Sequence, residues 1–224
     1  MNEHEGRRER LRERYYSEGL DNFAEHEVLE LLLTFAIPRR DTNVLAHTLI
    51  EQMGSFFGVF ESDRLHLQLV DGVGEHAALL INLVRDIGRR YLLSKFGERP
   101  ILNTVELQAG YCKALQYRNF METTYMICLS ARKKVIATHK LDEGTWNNVP
   151  VYLNKIIQKS MAANTASVLF THNHPGGDPM PSEDDILVTY QIIQALRTVD
   201  LKFEDHIIVG DSEQWVSLRE SKCI

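Results

Sequence analysis

The stretch Thr171-His-Asn-His-Pro-Gly-Gly-Asp-Pro-Met-Pro-Ser-Glu-Asp-Asp185 holds the residue types best suited to chemistry. It continues Ser167-Val-Leu-Phe-Thr171, a run of strand composition. Side chains alternate faces along a strand, so His172 and His174 point one way and Asn173 the other. Two imidazoles on one face can offer two nitrogens to one metal ion. Pro175, Gly176, Gly177, Pro179 and Pro181 exclude regular structure and force a compact turn. Ser182 then suits a helix N-cap, with Glu183, Asp184 and Asp185 in the first turn. That turn can bring a carboxylate back toward the histidines. A His/His/Asp set completed by water makes a tetrahedral zinc site with an open position. The same letters also suit an ordinary helix start, because Ser182 and Asp185 stand at capping spacing and acidic residues favour a helix N-terminus. Asp178, Glu183 and Asp184 have the same turn and cap roles open to them.

The elements that must position these residues follow from pattern. Residues 1–95 read as helices. Val28, Leu29, Leu31, Leu32 and Phe35 recur at helical spacing, Pro38 interrupts, and Asp41 or Thr42 can cap a helix through Val44, Leu45, Leu49 and Ile50. A turn is expected around Gly54, Ser55 and Gly58, then a connecting segment to Leu69–Gly74, then a helix from about Glu75 to Ser94. Gly97 and Pro100 mark a boundary. Beyond it the order reads α-β-β-α-β-α-β-β, with strands at 124–129, 135–139 and 167–171 and a hairpin around Gly210-Asp211. An α/β or α+β domain therefore follows an all-α one.

The 224 residues carry 25 Lys and Arg against 31 Asp and Glu, a formal charge of −6. Affinity for a polyanion comes chiefly from Lys and Arg, so charge alone does not make this chain a nucleic-acid binder. Neither half is basic: residues 1–99 hold 13 basic and 17 acidic residues, residues 100–224 hold 12 and 14. The opening run Arg7-Arg-Glu-Arg-Leu-Arg-Glu-Arg14 reads as a solvated helix face with intrahelical ion pairs. No apolar run is long enough for a membrane span. A charged N-terminus without a secretory signal, and three scattered cysteines, Cys112, Cys128 and Cys223, point to the cytoplasm and to reduced thiols.

His172-x-His174, seven residues, Ser182, two residues and Asp185 resembles the H-x-H-x7-S-x2-D signature of the JAMM (MPN-domain) metalloproteases. More closely, His172–Asp185, the Gly144-Thr145 pair and Asp205-His-Ile-Ile-Val-Gly-Asp211 are similar to the RadC family, formerly described as DNA repair proteins and also grouped as UPF0758. The likeness covers nearly the whole chain, and residues 17–33 with Val70–Gly74 resemble that family's helix-hairpin-helix region. The resemblance implies a JAMM/MPN-like α/β (α+β) domain over residues 100–224, with a central mixed sheet flanked by helices. A small all-α helix-hairpin-helix-like domain over 1–99 precedes it. It implies Zn2+ held by His172, His174 and Asp185, an oxyanion stabilised by Ser182, and Glu122 as general base at the start of an earlier strand. Spacing alone does not find Glu122, fifty positions before His172. The implied activity is that of a zinc metallopeptidase or isopeptidase acting on a peptide or protein substrate. The alternative is a DNA-associated accessory of repair or recombination whose metal domain is structural or auxiliary.

Two regions depart from that pattern. Leu153 and Asn154 stand where the family commonly has Pro and Arg, which removes a basic side chain that could orient a substrate. In the helical half, Gly72-Val73-Gly74 resembles a phosphate-binding hairpin, yet the usual lysine is Ala77, and Glu75 and His76 replace a basic pair. The loop Ala36–Asp41 lacks a glycine pair. Arg39, Arg40, Arg89 and Arg90 are left as local basic contacts, and a module that packs its helices together is the competing reading.

Overall fold

The computed structural model describes residues 3–38, 40–117, 119, 121–143, 149–175, 177–210 and 214–224. The motif residues Gly144, Thr145, Gly176 and Asp211, and Arg39, lie outside them. The chain divides into two compact units, Met1–Gly88 and Arg89–Ile224. None of its described helices is long and apolar enough to cross a membrane.

The first unit is helical: α1 (Glu3–Glu18), α2 (Glu25–Ala36), α3 (Thr42–Gln52), α4 (Phe56–Glu61), α5 (Arg64–Leu67) and most of α6 (Glu75–Ser94). Leu29, Leu33, Leu45, Leu49, Val59, Leu67 and Ile81 form its core. Asp41 caps α3, accepting from Asn43 N–H at 2.8 Å. Two expected connections are helices instead. Ser55 accepts from Gly58 N–H at 2.9 Å and Asp63 from His66 N–H at 2.8 Å, and each cap starts a short helix. Phe35, placed with the apolar residues by spacing, is largely exposed and sits under the Arg12 guanidinium.

The opening arginines also correct the sequence reading. Arg14 pairs within α1 with Glu18 as expected, but it also reaches Glu27 on α2, and Arg7 makes two bonds to Glu30 at 2.6 and 2.9 Å. Glu30 is only 1% exposed, and a buried carboxylate must be paired to remain in the core. Arg8 donates to the carbonyls of Ile37, Pro38 and Arg40. These cations hold helices and a loop together rather than forming a solvated stripe.

The second unit runs α7 (Val105–Gln116), β1 (Thr123–Leu129), β2 (Val135–Glu143), α8 (Val149–Ala162), β3 (Ser167–Asn173), α9 (Glu183–Arg197), β4 (Lys202–Val209) and β5 (Trp215–Ser217). The five strands form one sheet in the order β2-β1-β3-β4-β5, parallel only between β3 and β4. Val209 pairs with Trp215 in the expected hairpin.

Alternation splits β1 and β3 between two cores. Tyr125, Ile127, Leu129 and Leu169 face Ala109, Cys112 and Leu115 of α7. Met126, Cys128, Val168 and Phe170 face Ile156 of α8 and Val188, Ile192 and Leu196 of α9. The sheet is thus covered by helices on both faces. The continuation of the second face past Phe170 is His172.

Candidate metal centre

β3 is buried along its whole length and ends against the α9 N-terminus. His172 is fully buried on the α9 face, and His174 follows two places on, its N–H bonded to Val209 O at 2.9 Å. Asp185, Thr189, Ile192 and Leu196 share the buried stripe of α9, so the packing that seats the helix also turns Asp185 toward the histidines. His172, His174 and Asp185 each offer a donor atom, all within 4.8 Å of one another. His172 Nε2 lies 2.9 Å from His174 Nε2 and 3.2 Å from Asp185 Oδ1, and His174 Nε2 lies 3.5 Å from Asp185 Oδ2. The structure brings together the three residues that the resemblance implied as ligands.

This donor set suits a borderline divalent cation such as zinc. His174 Nδ1–H donates to Asp178 O at 2.7 Å, which leaves Nε2 as the atom to hold a proton or a metal. Beside Asp185, His174 is raised above the ordinary histidine range against its partial burial, with help from the Asp178 carbonyl and the charge of Glu122. Burial opposes charge on Asp185, yet the two imidazoles and Ser182 hold its carboxyl well below the usual carboxylate range. Among the described residues the cluster has three protein donors, and the His174 side chain is 22% exposed, so one side opens to solvent.

Ser182 and Asp185 form a reciprocal cap. Asp185 N–H donates to Ser182 Oγ at 3.1 Å, while Asp185 Oδ2 accepts from Ser182 N–H at 2.8 Å and from its hydroxyl at 2.6 Å. The capping reading and the ligand reading of this pair coexist in one geometry. Glu122 directly precedes β1. Thr124 pairs with His172, so extending the antiparallel register by two residues carries Glu122 opposite His174.

Three contributors are not evident from spacing. Asn173 points to the other face, where its Oδ1 accepts from Thr123 N–H at 2.8 Å and its Nδ2 donates to Asn119 O at 2.7 Å. It thereby pins the segment carrying Glu122. On β4, His206 places Nε2 2.8 Å from His172 Nδ1 and Nδ1 2.7 Å from Thr189 Oγ1. Burial, and then the neighbouring His172, push His206 well below the ordinary histidine range. In the sequence it stands just before the apolar run Ile207-Ile208-Val209, within the stretch Asp205–Asp211 that carries the family likeness, with nothing in its spacing to tie it to His172. The turn is held close by Gly210, where an added Cβ would stand 2.2 Å from Gly177 O and 2.8 Å from Pro179 Cδ.

Residues 102–223 match the family model described as a RadC-like JAB domain. The chain is also 31% identical over 204 residues to a UPF0758 protein of Rhodobacter capsulatus, covering 91% of this chain and 95% of that one.

Proposed function

The chain belongs to the RadC family, and from that premise we propose that its second unit is a zinc-dependent hydrolase of amide bonds, acting on peptide or isopeptide substrates. The observation that carries the reading is the convergence of His172 Nε2, His174 Nε2 and the Asp185 carboxylate, with one side toward solvent and Glu122 directly before the strand whose Thr124 pairs with His172. When bound, zinc supplies a Lewis acid that polarises a carbonyl and acidifies water. Glu122 takes the proton of the attacking water and returns it to the departing amine. Ser182 turns its hydroxyl from Asp185 Oδ2 to the developing oxyanion, a kind of donation worth about 3 kcal/mol in other enzymes. Asn173 keeps Glu122 in place by holding Thr123 and Asn119.

The test is metal content joined to turnover. The purified protein is expected to hold one zinc per chain and to cleave members of a peptide and isopeptide panel, and Glu122→Gln to keep the metal and lose cleavage. Retained cleavage in Glu122→Gln would defeat the general-base role, and a protein that takes up no zinc would defeat the whole reading.

A further inference from the structure

The protons around His206 can be counted. Thr189 Oγ1 lies 2.6 Å from Asp185 O and 2.7 Å from His206 Nδ1. A backbone carbonyl has no proton, so the hydroxyl must donate its single hydrogen to Asp185 O. Toward His206 the hydroxyl oxygen can then only accept, which puts a hydrogen on His206 Nδ1. His206 is 1% exposed, and its two ring nitrogens meet a hydroxyl and an imidazole, neither of which carries a negative charge, so a second N–H would bury an uncompensated charge. The ring therefore carries one N–H, and His206 Nε2 is an acceptor. His172 Nδ1, 2.8 Å away, must be the donor to it. In the neutral form that binds a metal, His172 then keeps its lone pair on Nε2, the atom that faces His174 Nε2 at 2.9 Å and Asp185 Oδ1 at 3.2 Å.

We infer that Thr189 and His206 form a positioning relay that locks His172 in its Nδ1–H tautomer and presents Nε2 to the cation of the site. The relay rests on the zinc reading for its purpose, though not for its proton assignment. Its origin is unusual in one respect. The relay begins at the backbone carbonyl of Asp185, so the residue that supplies one ligand also sets the tautomer of another. Seating α9 on the sheet closes the circuit from Asp185 through Thr189 and His206 to His172, and any shift of the helix disturbs two donors together. A histidine ligand whose second nitrogen is held by a neighbour binds metal better, and losing such a neighbour typically costs about 10–100-fold in affinity.

The relay is tested first without metal. Long-range proton–nitrogen correlation spectra of the 15N-labelled, zinc-free protein are expected to show the Nδ1–H pattern for both His172 and His206. A protonated Nε2 on His172 overturns the relay. Zinc affinity is then measured by competition with a chelator. His206→Phe and the shape-preserving Thr189→Val are each expected to weaken zinc binding by about 10–100-fold. His206→Gln places an oxygen acceptor near the lost Nε2 and is expected to restore most of the affinity. Equal affinity in wild type, His206→Phe and Thr189→Val overturns the relay and leaves the zinc reading standing. A wild-type chain that takes up no zinc overturns the zinc reading, while the tautomer spectrum still decides the relay.

Discussion

Asp185 uses one carboxylate for two purposes. Oδ2 accepts from the N–H and O–H of Ser182, and Oδ1 faces His172. The purposes can be separated by substitution. Asp185→Asn keeps an oxygen for the Ser182 N–H but removes the negative charge, so it is expected to stay folded and to lose stoichiometric zinc. Ser182→Ala keeps all three donors and loses the cap, so it is expected to hold zinc while giving up about 1 kcal/mol of stability. Metal analysis and thermal unfolding of the two variants check both halves. Full zinc in Asp185→Asn would remove Asp185 from the ligand set. The two histidines and a carboxylate near them were legible because they lie within fourteen consecutive residues, whose alternation and capping are local rules, while the choice of Asp185 among four acidic residues came from the family likeness. Asn173 was legible only as facing the opposite side from the histidines. Its partners, Thr123 and Asn119, are 50 and 54 residues away.

At the scale of elements, the His172, His174 and Asp185 cluster lies beside a turn that rests against the end of β4. Asp178 O orients His174, and the adjoining Gly177 and Pro179 rest on Gly210 at the end of β4. A methyl group cannot sit 2.2 Å from a carbonyl oxygen, so Gly210→Ala must push this turn outward. We expect it to cost about 1–3 kcal/mol in stability and, by moving the Asp178 carbonyl from His174, roughly 10-fold or more in zinc affinity. Gly74→Ala is the control, since its added Cβ meets nothing within 4 Å and should leave zinc binding unchanged. Chelator competition and melting curves on both variants give the answer, and unchanged zinc affinity in Gly210→Ala would show that the turn does not hold His174. Strands and long helices were readable here from periodicity. The short helices α4 and α5 were not, because four to six residues carry too little period and only their Ser55 and Asp63 caps announce them.

For the whole molecule, the boundary at Gly88 changes how charge is shared. Met1–Gly88 holds nine basic and sixteen acidic residues, a net of −7, while Arg89–Ile224 holds sixteen and fifteen. The unit with the hairpin-like Gly72-Val73-Gly74 is therefore the acidic one, and Arg7, Arg8 and Arg14 are engaged inside it. A titration of labelled duplex DNA across salt is expected to show no tight binding even at low salt. Strong binding with a steep salt slope would revive the DNA-associated reading, because each phosphate contact adds to that slope.

The sequence by itself determined that two histidines share a strand face close to a group of carboxylates, the helical and mixed halves, and the order of elements in the second. These follow from alternation, capping and punctuation, which neighbouring letters express. Only the tertiary structure decided that β1 runs antiparallel beside β3, pairing Thr124 with His172 two residues after Glu122, and that β4 runs parallel on the other side, bringing His206 to His172. Strand pairing is a choice among distant partners made by burial on both faces of the sheet, and no local spacing encodes it.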